Sequence, residues 1–512
     1  MKTVENLKIK KKSKQEPYVW FLYLLGLLIY SPFVGISSMA GMVGDTAIQI
    51  KVGLDDMRLH RLITEEIYSW HPDLIWTSHE EGWYFLMGLA YRFLGIAGTV
   101  LIGCLFIYAV VFLALRYNRD RAHPLVTALV AVAVPFLGGF PDYNVRPSIV
   151  STLFITLLIL AFLEERKTLE LGLLFVISSF IMAWLHGGIL PVFFAVYIVL
   201  SLIELLYRAV KKCFVLLAFI PAGFLVSLLN PIGIRIWTFG FKQSAATDIW
   251  ALVDEWQPKT FSIFEMFMIL LIFVGIMTND RLRKFEKASV TKVALLCMFL
   301  IMTCVYKRFI LYFSVAYLLF GPEEIGSLIK WAFENVSGKK DVKVELSDSF
   351  YRILAIFCLV ATVGYGAFNI VSYFPTNSMA DIERLAGYDH RVIEVLKEKG
   401  YSRLFNSFNT GSWLLFYDIP VHLDNRIDPY MIEFSPEDHI RGKMYVTSVE
   451  MMDDFREEYD NDAFLIETGT GYSELIEDIK EASDRYTIVY DNEMTSDLTD
   501  RIAVRWVIVE CV

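Results

Sequence analysis

The 512-residue chain is 55% hydrophobic and 15% aromatic, with a mean hydropathy of +0.47. That excess over the roughly 45–50% apolar content of soluble domains excludes an ordinary soluble protein and indicates a polytopic membrane protein. The net charge of −10 is uneven: residues 381–512 hold 13 Lys and Arg against 29 Asp and Glu, and a basic membrane part with an acidic tail argues against nucleic-acid binding.

Eleven apolar runs are candidate spans, near 18–38, 96–116, 124–138, 147–163, 169–184, 188–207, 213–229, 262–278, 289–304, 308–321 and 351–372. Several fall short of the ~20 residues of a perpendicular span and must tilt or extend further. The first run is too long, and lacks the small-residue cleavage site, for a removable signal. The expected fold is an α-helical polytopic membrane domain over 1–372, with a soluble extracytoplasmic α/β domain over 373–512.

Loop charges set the orientation. "KIKKKSKQ" places the N-terminus in the cytoplasm. Counting outward, "RYNRDRAH", "EERK", "YRAVKK", "NDRLRKFEK" and 322–350 become the cytoplasmic loops, and each carries basic residues. The opposite loops are 40–95, "GGFPDYNVRP" (138–147), "WLHGG" (184–188), 230–261 and "YKRF" (306–309). They place Asp45, Arg146, His186, Asn230, Glu255 and Arg308 on one side of the membrane, most of them near a span end. Polar groups at such depth are costly and line a cavity or pathway.

The long outer loop 40–95 contains "IQIKVGLDDMRLHRLITEEIYSW", whose apolar spacing predicts an amphipathic interfacial helix. Trp76 and Trp83 then suit the headgroup belt. Beyond residue 372, "DHRVIEVLKEKG" and "YSELIEDIKEAS" read as helices. "RLFNSF", "PVHLDNR", "AFLIET", "YTIVYD" and "AVRWVIVE" read as strands. The six cysteines lie mostly in apolar runs, with no CxxC or Cys/His pattern, so neither a metal site nor a disulfide framework is expected.

Each polar motif has a structural and a chemical reading. Asp45 begins a wet loop or hangs into a cavity. His79, Glu80 and Glu81 open a helix with acids in its first turn or form a site. Lys307 and Arg308 face outward against the charge rule, so an anionic partner is required: an acidic loop residue, or a phosphate suited to an Arg fork. Asp424, Arg426 and Asp428 in "LDNRIDPY" read as a salt-bridged turn.

In this order "GD", "HEEGW", "RPSIVSTLF", "WLHGGILP", "LLNPIGIRIW", "DEWQP", "RFILYF" and "FNSFNTGSWLLFYDIPVHLDNRIDPY" resemble a group of bacterial polytopic proteins that looks like part of the GT-C glycosyltransferase superfamily. The resemblance implies many spans and transfer of a sugar from a polyprenyl-phosphate carrier to a glycan, lipid or protein acceptor. It also implies an acidic residue in the first outer loop, the position of Asp45, with Asp73, His79 and Glu80 filling the rest of that motif. The chain departs from the pattern with "HEEG" for "HEW" and "GSW" for "WGG". It has no DxD in the loop, which leaves a divalent metal and the identity of the base open.

On that basis the expectation is an inverting glycosyltransferase of the cell membrane, acting outside the cytoplasmic face. Asp45 would accept the acceptor's proton. Arg308, with Lys307 or Arg146, would hold the leaving phosphate. Glu80 and His79 would orient the base or acceptor, and Asp73, His186 and Glu255 would complete substrate binding. The rival expectation is a non-catalytic scaffold or transporter in surface polysaccharide assembly, although the midplane polar groups and internal repeats of a transporter are not evident.

Overall fold

The computed structural model describes residues 16–41, 43–138, 145–245, 253–337, 346–373, 378–436, 444–468, 473–494 and 504–512. All eleven apolar runs fall on helices. Seven helical segments are long and apolar enough to cross a bilayer: Glu81–Asn118, Thr168–Leu185, Gly187–Leu206, Val210–Ser227, Lys287–Val305, Lys307–Val336 and Asp348–Phe368. Pro17–Ser31, Pro124–Leu137, Ser148–Leu163 and Ile263–Thr278 are apolar but shorter. Sixteen helical residues reach about 24 Å, short of the ~30 Å hydrocarbon core. Ser148–Leu163 is mostly buried among its neighbours, so protein rather than lipid surrounds it. This is the architecture of a multi-pass helical membrane protein with a small C-terminal sheet.

The first helices are α1 (Glu16–Gly41), α2 (Asp45–Leu59) and α3 (Glu81–Asn118). They correct the reading of residues 40–95 in two ways. Helix α3 starts at Glu81 and bends at Gly95 (φ 61°, ψ −152°), so the outer loop ends near residue 80. Helix α2 is not interfacial, because Lys51, Asp55 and Asp56 are all buried. Its charges are satisfied inside the protein: Lys51 Nζ lies 3.0 Å from Asp55 and 2.5 Å from Asp418, and Arg58 lies 2.8 Å from Asp55. Helical periodicity reports a buried stripe without saying whether lipid or protein covers the other side. Trp76 and Trp83 are likewise core residues, and the Trp83 indole donates to Gln49 at 2.9 Å.

Glycines bring α2 against α3. A Cβ on Gly53 would lie 1.9 Å from the Tyr84 carbonyl oxygen, and one on Gly88 would lie 2.4 Å from the Gly53 carbonyl carbon. Elsewhere Asn230 stops a helix, as its Asn-Pro-x-Gly context suggests: its Oδ1 accepts from Ile232 N at 2.9 Å, and Gly233 has φ +57°.

The C-terminal strands are β1 (Leu404–Asn406), β2 (Ala463–Thr468), β3 (Tyr486–Met494) and β4 (Val504–Cys511), in the order β1-β2-β4-β3. Strands β1 and β2 are parallel and the other pairs antiparallel. Helices His390–Lys399, closed by Gly400 at φ 66°, and Ser473–Glu481 match the sequence reading. "PVHLDNR" does not form a strand. It makes one isolated bridge, Val421 with Ser69, and turns towards the outer loop. Arg426 draws it there: its guanidinium lies 2.6 Å from both Glu66 and Asp424, with its carbon 4.6 Å from the Trp76 ring centre. These charges are almost fully buried, so the sheet-bearing part is docked onto the helical bundle.

Gly53→Ala should overpack the α2–α3 contact, at a cost of about 1–3 kcal/mol. The expected result is a lower apparent Tm of the purified protein in detergent; an unchanged Tm would show that the two helices can separate without loss.

Candidate active site

Five chain segments and the C-terminal part meet in one cavity of about 140 Å³, room for on the order of ten waters. Each of the five outer loops contributes at least one residue: Asp45, His79 and Glu80; Arg146; His186; Glu255; and Arg308. Asp73 is exposed and does not line the cavity. Lys307 also stands outside it, paired with Asp254. The substrate-binding expectation for these two is therefore not supported by their positions, since the loop around each turns its charge towards solvent.

Local structure aims the acids inward. Asp45 is the first residue of α2 and Glu80 is the N-cap of α3, so both carboxylates sit where helix dipoles favour negative charge. The turn at His186-Gly187-Gly188 is bonded to the His79 loop, with Gly187 N donating to His79 O at 3.0 Å. A Cβ at Gly187 would lie 2.0 Å from Ile236 Cδ1 and 3.0 Å from the His79 carbonyl oxygen, so a larger residue would have to displace the Ile236 side chain.

Arg146 is the hub of the cavity. Its guanidinium lies 2.7 Å from Asp45 Oδ2 and 2.6 Å from Glu255 Oε2. Arg308 lies 3.9 Å from Glu255 Oε1 and rests over the Trp256 ring at 4.3 Å. Asp45, Glu255, Arg146 and Arg308 each keep 31–32% of their side-chain surface open. The cavity is thus edged by charges that a ligand can reach.

Burial pushes the Asp45 carboxyl above its ordinary value, against the pull of Arg146. Burial acts on Glu255 in the same direction, but Arg146 and Arg308 together outweigh it and hold that carboxyl down to about 2. His79 Nε2 lies 3.4 Å from Glu80. Burial opposes charge on both, yet their mutual attraction wins, raising the histidine and lowering the glutamate. His79 is clamped between the Thr77 carbonyl oxygen at 3.2 Å and the Phe239 ring, stacked at 3.7 Å. Burial drives His186 down to about 3, so it is neutral, and its Nδ1 lies 3.0 Å from Ser151 Oγ.

The C-terminal part supplies residues that sequence reasoning assigned only to a structural turn. Asn425, Ile427 and Asp428 enter the cavity wall. Asp424 and Arg426 do form the buried ion pair expected of that turn. Asp428 reaches further: Thr77 N donates to its Oδ2 at 3.4 Å, and burial lifts its carboxyl to about 7. The only available signal was the segment "LDNRIDPY" itself, which carries three charges in eight residues within an otherwise apolar stretch.

Among the described residues no group of three His, Cys, Asp or Glu side chains could hold a metal ion. Asp45 and Glu255 are instead bridged by the Arg146 guanidinium. These residues do not fit a divalent ion, and no step below passes through one.

No family model matches the chain, and no curated protein does. Among solved structures, an oligosaccharyltransferase from Archaeoglobus fulgidus tethered to an acceptor peptide is 12% identical, with a TM-score of 0.47 over 85% of this chain and 68% of that one. The oligosaccharyltransferase AglB from Archaeoglobus fulgidus, bound to an inhibitory peptide and a dolichol-phosphate, is 10% identical at 0.49, over 85% and 69%. ArnT from Cupriavidus metallidurans, in the apo state, is 14% identical at 0.49, over 93% and 97%. Likenesses at this level carry no inference about chemistry.

Glu255 titrates near 2 in the fold against about 4.3 for a free glutamate. The stabilisation it draws from its cations is complete above about pH 4.3 and drains away as pH falls towards 2. Arg146→Gln should lower stability most above that window, with the deficit narrowing through it. Thermal unfolding across pH checks this, and a deficit that stays constant with pH would remove Glu255 from the linkage.

Proposed function

We propose that this chain is a membrane glycosyltransferase that moves a sugar from a polyprenyl-phosphate carrier to a cell-surface acceptor with inversion. The reading rests on one observation above all: a carboxylate, Asp45, held by Arg146 in a cavity at the mouth of an apolar bundle, with Arg308 on the same wall. Base and phosphate-binding cation are the two groups the reaction needs, and the motif order that resembles the GT-C superfamily adds to it.

In the proposed step an acceptor hydroxyl oxygen forms a bond to the anomeric carbon. The bond from that carbon to the carrier phosphate oxygen breaks, and its electron pair leaves with the phosphate. The hydroxyl proton passes to Asp45. Arg308 is in ion-pair reach of Glu255 but beyond hydrogen-bond distance, which leaves guanidinium donors for the phosphate oxygens. Trp256 holds the planar group in place. Arg146 positions the Asp45 carboxylate, while burial keeps that carboxylate basic despite the ion pair. Glu80 and His79 form a second pair that orients the acceptor. The lipid tail stays among the spans, and the cavity wall supplied by 425–428 limits water.

Asp45→Asn keeps the shape and removes the base, so turnover should fall by roughly 10²–10⁴-fold with expression unchanged. Glu80→Gln should be milder. The readout is transfer of radiolabelled sugar from purified polyprenyl-phosphate sugars. The reverse ranking would move the base to Glu80, and full activity in both variants and in the double variant would favour a non-catalytic scaffold.

The proposal also places the N-terminus in the cytoplasm and residues 373–512 outside. A cysteine at Ser483, which is exposed, should react with a membrane-impermeant thiol reagent in intact cells. Protection until lysis would reverse the orientation and put the cavity on the cytoplasmic side.

A further inference from the structure

A second cavity, of about 530 Å³, lies between the C-terminal sheet and the start of α2, and its lining includes Val43 and Gly44, the residues just before Asp45. Asn425 lines both this cavity and the one around Asp45. The Asn425 Oδ1 atom is buried and has no hydrogen-bond partner among the described residues. A buried amide oxygen without a donor costs on the order of 1–3 kcal/mol, and this residue stands in the wall that the two cavities share.

The wall of this second cavity has two chemical parts. Tyr388 and the exposed Tyr445 supply aromatic surface. Trp506, itself buried, packs against Tyr388 with ring centres 5.1 Å apart and its indole N–H bonded to Gly387 O at 3.0 Å. Beside them Glu467 Oε1 accepts from Ser407 Oγ at 3.1 Å and from Asn409 Nδ2 at 3.0 Å. The carboxylate is thereby fixed in orientation while its other oxygen remains an acceptor. Glu467 is the one charged side chain among the described lining residues.

We propose that this second cavity is the acceptor subsite and that it takes a neutral or amino-bearing glycan. The assignment of the occupant as an acceptor rests on the transferase reading above. Sugar rings present an apolar C–H face, which suits aromatic side chains, and a rim of hydroxyls, which suits fixed amides and carboxylates. Glu467 would repel phosphorylated or uronic-acid glycans, and no Lys or Arg stands among the described lining residues to pair with them. A lipid acceptor is disfavoured by the polar groups and by the position of the cavity against the sheet. Asn425, shared by the two linings, and Gly44, next to Asp45 in the chain, put this cavity beside the one that holds Asp45.

The test uses the full chain purified in detergent, on an array of defined oligosaccharides spanning neutral, amino-bearing, uronic and phosphorylated classes. Binding should be confined to the neutral or amino-bearing members. Glu467→Gln and the surface variant Asn409→Ala should each weaken it by roughly 3- to 30-fold, the loss of one hydrogen bond, while Asp45→Asn binds as the parent does. In parallel, release of sugar to water from the polyprenyl-phosphate donor should be lost in Asp45→Asn. Preference for acidic glycans, no array binding by the parent, or binding by both subsite variants as tight as the parent's would overturn the subsite. Array binding with the expected variant pattern but no donor cleavage by the parent would uphold the glycan site and overturn the transferase reading instead.

Discussion

Arg146 holds together segments that are far apart in sequence. Its guanidinium bridges Asp45, at the head of α2, and Glu255, in the loop before the helix Ile263–Thr278. Three charged groups brought this far from bulk water cost several kcal/mol in desolvation each if left unpaired. The two ion pairs, one from each guanidinium nitrogen, offset much of that cost, and they do so only if both loops come to the same place. The open third of each side chain keeps the cluster partly hydrated, so its net contribution to stability is smaller than its short distances suggest. Its main effect is positional: it fixes a carboxylate and leaves Arg308 on the same wall with donors to spare.

A second ionic knot does the same for the C-terminal part. Arg426, Glu66 and Asp424 are nearly solvent-free, and Tyr430 donates to Asp424 at 2.7 Å. Because breaking such a buried set strands a charge, the turn 424–428 cannot lift away cheaply from the outer loop. That rigidity carries Asn425 and Asp428 into the cavity wall and shapes the space between the sheet and α2.

At the other end of the helices, residues from the predicted cytoplasmic loops and the adjoining helix turns form their own ion pairs around buried glutamates. Arg281 lies 2.5 Å from Glu323, Lys292 lies 2.7 Å from Glu324, and Glu204 is shared by Lys212 and Lys287. These clusters tie adjacent helices together. No cavity residue comes from them, so the polar groups of the bundle divide into a closed set at one end and an open, ligand-accessible set at the other.

Hydropathy and loop charge alone determined a great deal here. Long apolar runs can only become helices when no water is present to satisfy the backbone, so all eleven helical positions were legible. The convergence of Asp45, His79, Glu80, Arg146, His186, Glu255 and Arg308 followed from counting loops, since alternate loops must emerge on the same side. The C-terminal helices and four of the five strands followed from periodicity and from stops such as Gly400. Tertiary structure decided what periodicity cannot encode: which surface covers a stripe and which charge meets which. Helix α2 reads as interfacial until Gly53 and Gly88 admit α3 against it. "PVHLDNR" reads as a strand until Arg426 finds Glu66, 360 residues earlier in the chain. Lys307 and Arg308 are adjacent in sequence, yet one pairs with an exposed aspartate and the other lines the cavity. These outcomes depend on pairings between distant segments, whose energies exist only once the chain has folded.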